Sequence, residues 1–329
     1  MRRISEFLIL ARAAQRLLIA AVFLIGLTPG MVWACACGCG VFEVDTEALI
    51  PQGTGGQVWF QYEYMQQYIN FHATQPASAF YNNDKYIRTN FMEVGGQYMF
   101  NRSWGLMLEV QYWSRDYKGA YEGNNSDIHW YQSDSIGDIR IQGMYTGLSE
   151  DMSTGLLMGV KAPSGDWTYP NYDRDTQIGT GSTDLLMGAY HIGSLPTKLG
   201  SLPLTFKERP FNYFVQVNYN LPLFAQDHYT PGREVDGAVG TYYDFGRVGF
   251  LKELAPMLTF LASDRTRDTG TAADPGDSGY TRFIAAPGVE TKVGIIRAYA
   301  DIEVPFFQNM RGYQLTAPFA TKLILSYSF

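Results

Sequence analysis

The chain reads as an all-β protein: a transmembrane antiparallel β-barrel of about 12 strands that follows a cleaved signal peptide. Three observations carry that reading. The N-terminus has the layout of an export signal, and no later apolar run is long enough for a membrane helix. The rest of the chain alternates apolar and polar residues with period two, the signature of strands with two unlike faces. The last such segment closes on an aromatic residue, Phe329.

Residues 1–34 form the export signal. Arg2, Arg3, Arg12 and Arg16 make its basic start, residues 17–27 (LLIAAVFLIGL) its apolar stretch, and Pro29-Gly30 break any helix there. This stretch falls well short of the ~20 residues that cross ~30 Å of hydrocarbon. Ala34 and Ala36 allow cleavage after either residue. Residues 35–54 are then a Cys-rich periplasmic segment, opening Cys35-Ala36-Cys37-Gly38-Cys39-Gly40 and holding all three cysteines of the chain. Three readings stay open for it. Cys35 is a lipidation candidate, because Val32-Trp33-Ala34-Cys35 approaches a lipobox. A Cys-x-Cys pair closes a strained, labile disulfide. Thiolates at Cys35, Cys37 and Cys39 suit a soft metal such as Cu(I). A c-type haem is excluded, since no Cys-x-x-Cys-His occurs.

Residues 55–329 form the barrel. Within 57–68, Gln57, Trp59, Gln61, Glu63 and Gln67 alternate with Val58, Phe60, Tyr62, Tyr64 and Tyr68. Within 106–115, Leu106, Leu108, Val110 and Tyr112 alternate with Met107, Glu109, Gln111, Trp113 and Arg115. Within 212–221, Tyr213, Val215, Val217, Tyr219 and Leu221 alternate with Phe214, Gln216, Asn218 and Asn220. Continued along the chain, the pattern places strands at 57–69, 87–100, 104–117, 137–147, 153–164, 182–193, 211–222, 234–245, 256–266, 280–292, 295–306 and 317–329. The connections alternate in length. Tight turns near 101–103, 148–152 and 293–294 belong to the periplasmic side, with longer ones at 194–210 and 246–255. Residues 70–86, 118–136, 165–181, 223–233, 267–279 and 307–316 are the external loops. In the closing strand Leu323, Leu325 and Tyr327 share one face, and with Phe329 they resemble the signal read by the barrel assembly machinery. A soluble sandwich shares the alternation but explains neither the loop asymmetry nor the aromatic strand ends.

Short glycine-centred motifs punctuate these strands: Ile136-Gly137-Asp138-Ile139, Val160-Lys161-Ala162-Pro163-Ser164-Gly165-Asp166, Ile178-Gly179-Thr180-Gly181-Ser182-Thr183-Asp184, and Val304-Pro305-Phe306 with Gly312-Tyr313-Gln314-Leu315. The series resembles the outer-membrane transporters of the meta-cleavage phenol-degradation type, over most of residues 55–329. The resemblance implies a barrel that passes small, often aromatic, organic molecules, and it brings no catalytic motif. The motifs also have a local reading as turns, in which Pro lacks the ladder donor and Gly accepts positive φ. Gly179-Thr180-Gly181 is no phosphate loop, because no Lys-Ser/Thr follows it. Asp166, Asp173 and Asp175 offer oxygen ligands for Ca²⁺, against the simpler reading of solvated loop carboxylates.

If the apolar faces meet lipid, the lumen is lined by Glu63, Glu93, Glu109, Arg115, Asp138, Arg140, Lys161, Asp236, Arg297, Asp301, Glu303 and Lys322. Charges in a barrel of this size must pair or face water. A formal charge of −7 disfavours nucleic acid as a partner. The partners expected are outer-membrane lipid, the assembly machinery and a small-molecule solute. No motif asks for a cofactor. Of the histidines, His72, His129, His191 and His228, none sits in a His-x-Ser-Asn-Gly phospholipase context, and Asp227-His228 is too weak a pair for a protease dyad, so no enzyme is expected. The function expected is an outer-membrane channel or transporter for small molecules, aromatic and hydrophobic ones included, with a narrow, charge-lined lumen. The alternative is a non-conducting structural or partner-binding barrel, within a metal or electron-transfer assembly entered through the Cys-x-Cys-x-Cys segment.

Overall fold

A computed structural model describes residues 34–36, 50–51, 53–120, 127–170, 172–196, 198–199, 202–203, 205–206 and 209–329. The export signal, Cys37 and Cys39 lie outside the described residues. Cys35 falls in a three-residue strand, Ala34–Ala36, opposite Thr316.

Twelve strands form one closed antiparallel sheet: β1 (Gly55–Gln67), β2 (Asp84–Met99), β3 (Trp104–Ala120), β4 (Ile139–Tyr145), β5 (Thr154–Ala162), β6 (Ser182–Ser194), β7 (Asn212–Ala225), β8 (Glu234–Tyr242), β9 (Glu253–Arg265), β10 (Tyr280–Val293), β11 (Ile296–Ala317) and β12 (Ala320–Ser328). Each strand pairs with its neighbours in sequence, and β12 pairs with β1, Gln57 facing Ser328 and Met65 facing Ala320. No barrel edge is left open for pairing with another chain. Among the described residues the only helix is a single 3-10 turn, Ala79–Tyr81.

The alternation resolves into inside and outside. Glu63, Glu109 and Gln111 are buried, while Val58, Val94, Leu108, Val217 and Ile302 are exposed on the outer wall. Aromatic pairs mark the periplasmic edge of this apolar band: Tyr98 with Phe100 at 5.6 Å, Trp104 with Tyr145 at 4.8 Å, and Tyr327 with Phe329 at 5.9 Å between ring centroids. At the opposite edge Tyr86 meets Trp130 at 5.4 Å, under the Lys118 ammonium. Such a girdle anchors a barrel between two interfaces. The protein is a transmembrane β-barrel.

Two segments expected as loops are strand. Residues Ile128–Ile136 return beside β3, from Tyr112 opposite Ile136 to Ala120 opposite Ile128. Their composition (IHWYQSDSI) hides the strand because Gln132 and Asp134 interrupt the exposed face that carries Ile128, Trp130 and Ile136. Residues 307–316 belong to β11, which reaches Ala317. There the β10–β11 register shifts between Phe283 and Ile284, so that Phe306 and Phe307 both point outward. Pro305, without an amide hydrogen, stands beside the irregularity. Gly312 then takes φ 108°, and the residues after it pair with a short strand, Ile69–Ala73.

Candidate functional site

The lumen is the candidate site, and it is built from the inward half of each strand. Glu63, Glu93, Glu109, Arg115, Asp138, Lys161, Asp236, Asp301, Glu303 and Lys322 are buried there. Arg140 and Arg297 are half-buried. The barrel gathers most of them into separate groups. In one, Lys322 Nζ lies 2.7 Å from Glu303 Oε1 and 3.8 Å from Glu63 Oε2, and the Tyr299 hydroxyl donates to Asp301 at 2.6 Å. In a second, Lys161 Nζ lies 2.5 Å from Asp184 Oδ2 and 3.8 Å from Asp138 Oδ2. In a third, Trp59 Nε1 and Gln111 Nε2 donate to the two Glu93 oxygens, each at 3.1 Å. Arg297 pairs with Glu290, and Glu253 stands 3.7 Å away. Glu109 faces Arg140 across the β3–β4 ladder. Asp184, Glu253 and Glu290 were not singled out by sequence, although the alternation of β6, β9 and β10 places them inward.

Arg115 ties a loop to the wall. Its Nε donates to Thr89 Oγ1 at 3.0 Å, and its Nη1 donates to the carbonyls of Thr176 and Gln177. Those carbonyls belong to residues 165–181, expected as an external loop. The loop instead folds into the barrel. Ile178, 3% exposed, packs with Met65, Phe91, Trp113, Ala317 and Ala320. Tyr172 packs with Ile87, Tyr117 and Leu315, and its hydroxyl donates to the Arg115 carbonyl at 2.8 Å.

The glycine motifs converge on the root of this loop. Asp138 accepts from Gly165 N at 3.0 Å, Thr180 N at 3.0 Å and Thr180 Oγ1 at 2.6 Å. Ser164 Oγ accepts from Ile139 N at 2.8 Å and donates to the Gly137 carbonyl at 3.1 Å. A Cβ on Gly179 would stand 2.4 Å from the Gly165 carbonyl carbon, so the two backbones touch where no side chain fits. Residues 25 to 42 positions apart thus tie one loop to the wall. No periodic signal betrays such a tie, but apolar Tyr172 and Ile178 in a loop rich in Asp and Gly were a hint.

Toward the periplasm the inward face turns apolar. Trp59, Met99, Met107, Met144, Leu157, Tyr190, Phe214, Met257, Leu261, Ile284, Tyr299 and Ile324 form one buried cluster, a belt across the lumen rich in methionine and aromatic rings. Unlike the charged positions, these apolar ones do not stand out in the sequence, because they alternate with the equally apolar lipid-facing residues. At the extracellular mouth the walls are acidic. Asp84, Asp173, Asp175, Asp274 and Asp277 surround a cavity of about 300 Å³. Burial, together with the neighbouring Asp173 and Asp268, pushes the Asp175 carboxyl up to about 7. Among the described residues no group of three or more His, Cys, Asp or Glu side chains is placed to hold a metal ion. Asp166, weighed with Asp173 and Asp175 for Ca²⁺, spends an oxygen on Thr168 N and Oγ1.

No protein-family model and no curated protein matches the chain. Solved structures do. An outer membrane channel from Pseudomonas putida F1 superposes with a TM-score of 0.60 at 12% identity, covering 87% of this chain and all of that one (100%). The β domain of the Bordetella autotransporter BrkA gives 0.48 at 11% identity, covering 84% and 100%. The toluene transporter TodX from Pseudomonas putida gives 0.40 at 10%, covering 92% and 98%. Identities this low speak to fold alone. The chain has the barrel architecture of an outer membrane channel.

Proposed function

We propose that the barrel is a narrow channel that passes small molecules across the outer membrane, aromatic ones among them. One observation carries the reading. Several buried polar atoms on the inward face have no protein partner among the described residues: Gln216 Oε1, Asn220 Oδ1, Thr259 Oγ1, and both amide atoms of Gln308. An orphaned polar group in a dry core costs about 1–3 kcal/mol. A merely structural barrel would not keep a row of them, whereas a wetted lumen satisfies each with water. The charged positions from Glu63 to Lys322 then line the path, with the 163–181 loop as its narrowing on the outer side. The methionine and aromatic belt favours solutes with an apolar face, since thioethers and rings adapt to such surfaces. That same belt favours the second reading, a plugged barrel that conducts nothing. Tyr327 and Phe329 serve as the assembly signal on this proposal.

Liposome swelling tests it. Vesicles carrying the protein should admit small phenolic solutes and exclude large sugars. Vesicles that exclude every solute, small aromatics included, would leave the plugged barrel as the better reading.

A further inference from the structure

We propose that the outer wall of the barrel, at its extracellular rim, binds the phosphate groups of a glycolipid in the outer leaflet. Three arginines, Arg233, Arg267 and Arg311, converge on one open groove of about 620 Å³. Strand parity puts the groove outside. Glu234 and Arg265 point into the lumen, so their neighbours Arg233 and Thr266 point away from it. Leu221 and Pro222 form an apolar side of the groove. Exposed Val235, Phe260 and Phe283 continue the outer wall of the neighbouring strands into the lipid band.

The arginines are unequally committed. Arg311 Nη2 donates to Asp264 Oδ2 at 2.9 Å and its Nη1 to the Arg265 carbonyl at 2.5 Å. Arg267 Nη1 donates to the Gly276 carbonyl at 2.6 Å. Both are therefore held in place. The Arg233 guanidinium has no hydrogen bond or ion pair among the described residues, and the residue is exposed. Three positive charges thus meet one carboxylate, Asp264, on a chain whose overall charge is −7. A cationic cluster on a net acidic chain is not a by-product of composition. At the headgroup level of a bilayer the available counter-charge is phosphate. The planar guanidinium fork matches two phosphate oxygens, and the Thr266 and Thr269 hydroxyls add donors. A free anion would gain the same charge contacts but nothing from Leu221 and Pro222, which suit the first carbons of an acyl chain.

The test uses the folded full chain in detergent, with bis-phosphorylated lipid A binding followed by native mass spectrometry. Arg233→Gln touches no protein partner and should weaken binding about tenfold or more, the ratio that goes with one lost charge-assisted hydrogen bond. Arg233→Gln with Arg267→Gln should weaken it further. Arg102→Gln, the same charge loss at a periplasmic turn, should leave it unchanged. Dephosphorylated lipid A should bind poorly, and inorganic phosphate should compete only weakly. Equal retention of lipid A by wild type and the double variant would overturn the proposal. So would equal binding of dephosphorylated lipid, or full displacement by inorganic phosphate, which would make this a site for a free anion.

Discussion

Leu108 and Glu109 are adjacent in sequence and separated by the whole thickness of the wall: Leu108 is 45% exposed to the lipid side, and Glu109 is 4% exposed inside. Leu108→Arg should cost about 2–4 kcal/mol of barrel stability near the midplane. Glu109→Gln keeps the shape of the side chain and should cost clearly less. Urea unfolding in lipid vesicles measures both, and equal losses would mean that the alternation does not separate lipid from lumen. Lys322 tests the inner charge groups. Lys322→Met takes the nearest cation from Glu63 and Glu303 and should cost about 3–5 kcal/mol. Adding Glu303→Gln should recover part of that loss, because one unpaired carboxylate is gone. A double variant no more stable than Lys322→Met alone would show that the group is not coupled. Asp175 governs the mouth. Its carboxyl sits near 7, so raising the pH through that value adds negative charge at the entrance. Preference for cations, read as a reversal potential across a salt gradient, should therefore rise between about pH 6 and pH 8. In Asp175→Asn this rise should shrink, and an unchanged pH profile in that variant would remove Asp175 from the path.

Among the elements, the strands were legible in the sequence because burial on one face and lipid on the other impose period two. β2, β3, β7 and β10 begin or end within a few residues of the expected positions. Where that physics stops, so did the legibility. Ile128–Ile136 alternates in burial, but Gln132 and Asp134 share the exposed face with Ile128, Trp130 and Ile136 and break its apolar run, and it read as a loop. The inward fold of residues 163–181 depends on contacts of Gly165, Gly179 and Asp138 with partners far away in sequence, which no local pattern encodes. The charged lumen residues followed from parity, but their grouping around Lys161 and Lys322 did not, because it depends on the register between strands. Gly179→Val examines the loop directly. A side chain there cannot coexist with the Gly165 backbone, so the loop should leave its seat while the barrel stays intact. Trypsin should then cut at Arg174 in the variant and spare it in wild type, with heat-modifiable migration unchanged. Equal resistance in both would place the hold on the loop elsewhere.

At the scale of the whole molecule, a closed barrel with an apolar outer band has two distinguishable ends and an inside that is either a passage or a core. The ends can be told apart in cells. In a background without Cys35, Cys37 and Cys39, a cysteine at Ala272 should react with a membrane-impermeant reagent, and one at Glu150 should not. The opposite pattern would invert the barrel. The inside is decided by conductance. The orphaned Gln216, Asn220, Thr259 and Gln308 side chains argue for water in the lumen, and the 163–181 loop and the methionine belt make the path narrow. Single-channel recording in planar bilayers compares wild type with Gly179→Val. Small, discrete, cation-preferring steps in wild type that grow several-fold in the variant are the result expected of a channel narrowed by its own loop. Silence from both proteins, each inserted and heat-modifiable, would contradict the account and make the lumen a packed core.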